Sequence, residues 1–297
     1  MMGFKTTNWA RKREHLKEGL MKKVLLLTGA GQIGMAIARR LGSGMSIAIG
    51  DKNLENAIAV AKTMSDAGFD TTPFEMDLSS RESILSFIAE AQELGEITML
   101  VNAAGVSPSQ ASIETILNVD LYGTAVLLEE VGKIISHGGT GVTISSQSGH
   151  RMPALGTAID EQLATTPPSK LLDLEVLNPR NIRDSLHAYQ LAKRCNEKRV
   201  MFESVRWGKR GARINSISPG IIVTPLAVDE FNGKRGDFYK NMFAQSPAGR
   251  PGTADEVASV AELLLSPRGS FITGADFLID GGATASYFYG PLKPESD

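Results

Sequence analysis

A doubly wound α/β domain, a parallel sheet with helices on both faces, is the fold this sequence predicts. Short apolar runs alternate with helix-patterned segments from Met21 onward, a glycine-rich turn joins the first run to the first helix, and an aspartate closes the second run. The expected strands are residues 24–27, 46–49, 99–101, 142–144, 213–217 and 277–279, and a weaker run near 72–75 makes seven. Helices are expected over 33–41, 54–67, 81–94, 113–135, 189–207 and 254–265. No internal repeat breaks the alternation. Right-handed crossovers then bring the carboxyl ends of all the strands to one edge, where ligands bind.

Composition limits the partners. The chain has 297 residues, 42% hydrophobic and 22% charged, enough for one large core or two smaller ones. A formal charge of −2 gives a polyanion such as nucleic acid nothing to bind, so a small-molecule substrate is expected. Cys195 is the one cysteine, which excludes an internal disulfide and suits a reducing cytoplasm. His15, His137, His150 and His187 show no paired ligand spacing, and no structural metal is expected.

Residues 1–20 form a basic extension before a single domain over 21–297. With the two lysines that follow, it holds Lys5, Arg11, Lys12, Arg13, Lys17, Lys22 and Lys23 against Glu14 and Glu18, and no apolar run that could serve as a signal core or membrane span. It reads as an unanchored tail or a partner-binding arm. A third reading is a start-site artefact: Lys17-Glu18-Gly19 can be encoded by a ribosome-binding sequence just before Met21, which makes Met1, Met2 and Met21 competing starts.

The turn after the first strand, Gly29-Ala30-Gly31-Gln32-Ile33-Gly34, has the form G-x-G-x-x-G and opens a helix. Glycines permit the sharp turn and let a pyrophosphate reach the helix N-terminus, whose free N–H groups and dipole favour anions. Asp51 follows 17 positions after Gly34, at the end of the second strand, where it can accept hydrogen bonds from the adenosine ribose and repel a 2′-phosphate. NAD is therefore expected over NADP, with adjoining Lys52 softening the repulsion.

Tyr189 and Lys193 stand four apart on an expected helix and so share a face. A phenol titrates near pH ~10 when unperturbed, too high for easy proton exchange at neutrality. A neighbouring ammonium and an oxidised nicotinamide would lower that value, so the pair can act as base or acid.

The sequence resembles the short-chain dehydrogenase/reductase family from about residue 22 to 282. The resemblance rests on Thr28-Gly29 through Gly34, Asp77-Leu78, Asn102-Ala103-Ala104-Gly105, Asn118 through Gly123, Ile144-Ser145-Ser146, Tyr189 with Lys193, Pro219-Gly220 with Thr224-Pro225, and Gly249-Arg250 through Asp280-Gly281-Gly282. It implies a Rossmann-type sheet and hydride transfer between a secondary alcohol and a ketone. By the same resemblance Ser146 holds the substrate oxygen, Tyr189 exchanges the proton, Lys193 binds the nicotinamide ribose, and Asn118 supports a water-linked relay behind the lysine. Asp77 and Leu78 flank adenine, and Asn102, Ala103 and Gly105 line the adenosine side. Pro219, Gly220, Ile222 and Thr224 hold the carboxamide. Turn or cap roles compete for Asn102 and Asn118. Family members generally form homodimers or homotetramers, which extends that expectation to this chain.

Two departures stand out. The phosphate loop is one residue shorter than the family's usual form and has Gln32 in place of a glycine. Ser146 and Tyr189 are 43 positions apart, so residues 151–186 are an insertion, which either roofs the substrate pocket or extends an interface. Helix-compatible stretches inside it are 159–164 and 170–177. Similar insertions occur in some bacterial hydroxysteroid dehydrogenase/carbonyl reductases, which points to a bulky hydrophobic carbonyl substrate. Residues 226–247 carry Phe231, Phe238, Tyr239, Met242 and Phe243, which either cover an apolar substrate or pack inward. Ser148 and His150 adjoin Ser146 and are further substrate candidates. The competing functions are 3-oxoacyl or sugar-alcohol reduction, a non-catalytic dinucleotide sensor, and an epimerase or dehydratase, the last disfavoured by the short C-terminal part.

Overall fold

The structure, a computed structural model, describes residues 21–232 and 236–294. The basic extension 1–20 lies outside the described residues, as do positions 233–235 of the expected substrate loop.

Seven strands form one parallel sheet: β1 (Lys23–Thr28), β2 (Ser46–Asp51), β3 (Asp70–Glu75), β4 (Glu96–Asn102), β5 (Thr140–Ile144), β6 (Arg213–Pro219) and β7 (Asp276–Ile279). Their order is β3-β2-β1-β4-β5-β6-β7, so the winding reverses between β1 and β4 and opens a crevice at their carboxyl ends. Val24 through Leu27 are fully buried, as expected for a central strand covered on both faces. Successive residues point to opposite faces, and Val24 and Leu26 join one core with Phe87 and Trp207. Leu25 and Leu27 join the other, with Ile37 and Val257. Pro73 is tolerated in β3 because that strand lies at the sheet edge.

The flanking helices are α1 (Gln32–Leu41), α2 (Leu54–Ser65), α3 (Arg81–Gln92), α4 (Ile113–Ile116), α5 (Thr124–Ile134), α6 (Gln147–His150), α7 (Thr157–Thr165), α8 (Pro168–Leu171), α9 (Ser185–Gly208), α10 (Pro225–Asn232), α11 (Gly236–Ala244), α12 (Ala254–Leu265) and α13 (Ala283–Tyr289). The sequence predicts one helix over 113–135. Instead a π-helical segment, Leu117–Gly123, separates α4 from α5. The stretch 170–177 is likewise not one helix: α8 ends at Leu171 and a 3₁₀ turn follows at Glu175–Leu177.

The insertion folds back on α9. Leu163, Leu171, Leu177 and Ile182 are buried with Ile116, Leu117 and Leu121 from the α4–α5 region and Leu191 and Cys195 from α9, forming a third apolar cluster. Polar ties fix the contact. Arg194 makes a bidentate pair with Asp160 at 2.8 and 2.7 Å, and buried Arg199 donates to the Leu163 and Thr166 carbonyls at 3.1 and 2.8 Å. The helix that presents Tyr189 and Lys193 is thus buttressed from outside by the chain's own insertion.

Candidate active site

Backbone geometry builds the dinucleotide cradle. Gly29 adopts φ +84°, and a Cβ there would meet the Ala104 backbone N at 2.6 Å. Gly31 begins α1 with no side-chain cap, and the space beside it is open. The helix N-terminus is therefore left for a ligand's negative charge. Asp51 accepts the Ala30 N–H at 2.8 Å and the Asn53 N–H at 2.9 Å, which fixes its carboxylate beside the glycine turn. Lys52 turns away to pair with Asp77 at 2.9 Å, and Asp77 also accepts the Ser79 N–H and hydroxyl. Those contacts outweigh burial and hold the Asp77 carboxyl below its ordinary range. Leu78 is buried beside it. An uncapped helix start, an open glycine side and a fixed carboxylate are the features a dinucleotide requires, and these residues fit one.

Asn102 lies at the end of β4 and its side chain is occupied by its neighbours. Its Oδ1 accepts the Thr28 hydroxyl at 2.7 Å, and its Nδ2 donates to Thr143 at 2.7 Å and Thr124 at 3.4 Å. It ties three strands and α5 together. Ala103 and Gly105 follow it along the crevice.

Helix α9 carries Tyr189 and Lys193. Asp184 caps its start by accepting the His187 N–H, and the Ser145 hydroxyl donates to the Lys193 carbonyl at 2.9 Å, so the helix is pinned to the end of β5. Lys193 Nζ lies 5.1 Å from the Tyr189 ring centroid and 3.5 Å from the Ile144 carbonyl oxygen. Ser146 caps α6, its Oγ accepting the Ser148 N–H at 3.1 Å. β5 thus delivers Ser146 and α9 delivers Tyr189 and Lys193 to the same sheet edge.

Asn118 is not brought to the lysine. Its Nδ2 donates to the Glu114 carbonyl at 2.9 Å, one turn back on the outer side of the helix. Asp120 takes the inner position: it is fully buried, its Oδ1 accepts the Val106 N–H at 2.9 Å, and its Oδ2 stands 3.8 Å from Lys193 Nζ. The signal was in the spacing. Buried positions 116/117, 120/121 and 124/125 recur every three to four residues, and Asp120 shares that face while Asn118 does not.

His150 stands beside two carboxylates. Its Nε2 lies 2.7 Å from Asp276 Oδ2 and 3.6 Å from Glu197 Oε1, so the ring is engaged with β7 and α9. Asp276 Oδ1 accepts the Ser216 and Ser218 hydroxyls at 2.6 and 2.9 Å. The hydrogen bond to Asp276, opposed by burial, raises the His150 pKa. Burial and the Asp276 charge push Glu197 up to about 7. This network is not legible in the sequence, because its members are as much as 126 positions apart.

At the end of β6, the Gly220 N–H donates to Ile279 at 3.0 Å, and a Cβ at Gly220 would meet Asp280 at 2.7 Å. Pro219 ends the strand, Ile222 bridges Gly252, and Thr224 accepts the Ala227 N–H at the start of α10. A cavity of about 290 Å³ lies between α11 and the ends of β6 and β7, lined by Gln147, Ile222, Met242, Phe243, Ile279 and Ala283 among others. Gln147, next to Ser146 in the chain, is part of its wall, whereas Ser146, Tyr189 and Lys193 are not. Within residues 226–247 aromatic side chains pack on one another and part of the segment lines the cavity. Phe231 packs edge-on against Tyr239 and Phe243, at centroid separations of 5.6 and 5.4 Å, while Met242 and Phe243 face the cavity.

Comparison with known proteins follows the same outline. Residues 23–158 match the short chain dehydrogenase family model, and residues 157–284 match a model described as enoyl-(acyl carrier protein) reductase. The chain is 40% identical over 267 residues to the short-chain dehydrogenase/reductase bsc3 of Alternaria brassicicola, covering 90% of this chain and 97% of that one. It is 32% identical to D-threitol dehydrogenase of Mycolicibacterium smegmatis, covering 88% and 93%. A crystal structure of a short chain dehydrogenase from Burkholderia cenocepacia in complex with NADP superposes with a TM-score of 0.68 at 24% identity, covering 88% and 97%. At that identity the likeness concerns the fold.

Proposed function

Because the chain belongs to the short-chain dehydrogenase/reductase family of oxidoreductases, we propose that it interconverts a secondary alcohol and a ketone, with NAD as cofactor and Tyr189 as general acid and base. The observation that carries this reading is the placement of Lys193 Nζ 5.1 Å from the Tyr189 ring, on the helix that adjoins Ser146 through Ser145. Gly29, Gly31 and Gly34 would hold the pyrophosphate, Asp51 the adenosine ribose, Asp77 and Leu78 the adenine, and Pro219 through Thr224 the carboxamide. The bound nicotinamide supplies or accepts the hydride. Ser146 orients the substrate oxygen and donates to the charge developing on it, while Tyr189 gives or takes the proton at that oxygen.

The apolar part of that cavity wall, Ile222, Met242, Phe243 and Ile279, supports a hydrophobic carbonyl substrate of the hydroxysteroid or carbonyl-reductase type, with Arg250, Glu256 and Asp280 on the same wall. The fixed Asp51 carboxylate supports NAD over NADP, because its charge opposes a 2′-phosphate. Exposed Met201 and Val205 on α9, with Phe271 and Leu278 near edge strand β7, support a homo-oligomer. Among the described residues no helix is long and apolar enough to cross a membrane.

A panel of ketones assayed by NADH oxidation, with Tyr189→Phe as control, tests the reading. Turnover of at least one hydrophobic ketone that falls about 10²- to 10⁴-fold in the variant is expected. Turnover that survives the substitution contradicts the assignment of Tyr189.

A further inference from the structure

Behind Tyr189 and Lys193 sits a carboxylate whose charge the proposed reaction has not used. Asp120 is buried, and its Oδ2 has no hydrogen-bond partner while lying 3.8 Å from Lys193 Nζ. The π-helical turn Leu117–Gly123 brings it there, and such turns are frequent at functional sites. Gly105 makes the room: a Cβ at that position would stand 2.9 Å from Asp120 Oδ1 and 3.4 Å from Lys193 Nζ. Carboxylate and ammonium therefore share one wall of the crevice.

The groups that face this pair come from several elements. The π turn contributes Asp120, and α9 contributes Tyr189 and Lys193. The end of β5 contributes the neutral Ile144 carbonyl, and the loop after β4 contributes Gly105 and the Val106 N–H. Glu197 lies one turn further along α9, close to His150. Burial alone would lower the Lys193 pKa, but the charges of Asp120 and Tyr189 outweigh it and raise it. Burial raises the Asp120 pKa, with Lys193 opposing.

A nearby cation lowers a phenol's pKa and a nearby anion raises it. An Asp120 carboxylate against the Lys193 ammonium leaves Tyr189 facing an ion pair in place of a bare cation. Resting on the oxidoreductase reading above, we infer that Asp120 is a positioning residue: it partly neutralises Lys193, keeps the Tyr189 hydroxyl protonated at neutral pH, and so biases the phenol toward its acid role in carbonyl reduction. In that role the Tyr189 O–H bond breaks and an O–H bond forms on the substrate oxygen, and a reduced nicotinamide held in the crevice would supply the hydride that the carbonyl carbon gains. The phenolate left behind regains its proton from solvent.

Ultraviolet difference titration of the phenolate in the cofactor-free protein tests this without any substrate. The Tyr189 component is isolated by subtracting Tyr189→Phe from the wild type, and the double variant from Asp120→Asn. Asp120→Asn keeps an oxygen for the Val106 N–H and removes the charge, placing a neutral NH2 where Oδ2 faced Lys193. Its Tyr189 midpoint is expected to fall by about one pH unit, a tenfold rise in acid dissociation constant, and the alkaline limb of ketone reduction is expected to fall equally. An unchanged or higher midpoint overturns the inference. If Asp120→Asn does not fold, carbon-13 NMR of the Asp120 carboxyl in the wild type decides: an ionised group at pH 7 is required, and a protonated one overturns the inference. Failure of the oxidoreductase reading is separate, since it appears as turnover that survives Tyr189→Phe.

Discussion

At the residue scale, the proposed chemistry depends on groups whose freedom has been removed by their neighbours. Ser146 caps a helix, Lys193 is buried against a carbonyl and a carboxylate, and Asp51 is held by two backbone N–H groups. Replacing Ser146 by alanine removes one donor to the developing oxyanion and is expected to lower kcat by about 10²- to 10³-fold with a smaller change in KM, measured by steady-state kinetics. Asp51→Ala removes the charge that opposes a 2′-phosphate, so the preference for NAD over NADP, read as the ratio of kcat/KM values, should fall about tenfold or more, on the order of one charge contact. An unchanged ratio would remove Asp51 from cofactor selection. The residue sequence reasoning missed was Asp120. Its motif, Asn118 through Gly123, was legible, but two polar residues two positions apart cannot both face the lysine, and only the three-to-four spacing of the buried positions tells them apart.

At the scale of elements, α9 is the member on which site and stability both depend. Leu163 of α7 is fully buried in the cluster that supports it, and Leu163→Ala should cost about 2–5 kcal/mol in denaturant unfolding. Glu197, on the same helix, has a pKa raised to about 7 in the folded protein, so it binds a proton that the unfolded chain gives up near its ordinary value of 4.5. That contribution to stability is complete below pH ~4.5 and is lost as pH rises through ~7. Glu197→Gln should therefore flatten the fall in stability between pH 5 and 8, by at most ~3 kcal/mol, as read from chemical denaturation at several pH values. A pH dependence equal to that of the wild type would show that Glu197 is ionised in the fold. The strands were the most legible elements, because β1 and β2 are buried on both faces and read as unbroken apolar runs. The break at 117–123 was not legible, since a π turn keeps the apolar spacing of a helix while shifting its register.

At the scale of the whole molecule, the sheet edge gathers the pieces and the insertion holds one of them in place. Residues 151–186 could be recognised as extra from the separation of Ser146 and Tyr189, but where they pack could not, because Leu163 meets Leu191 and Cys195 only through the tertiary fold. Replacing residues 157–182 with a short linker would expose Leu117, Leu121, Leu191 and Cys195 together. A lower melting temperature and concentration-dependent association in light scattering are expected, and an unchanged melting temperature would show that the insertion does not buttress α9. The proposed reaction needs a phenol, beside a lysine on that helix, to exchange a proton with a substrate oxygen as hydride reaches the adjoining carbon. Its most direct test supplies NADH deuterated at the transferable position, together with a ketone that the enzyme turns over, and locates the label by mass spectrometry. Deuterium at the carbinol carbon with the wild type, and its loss with Tyr189→Phe, is the predicted result; label appearing equally with both proteins would contradict it.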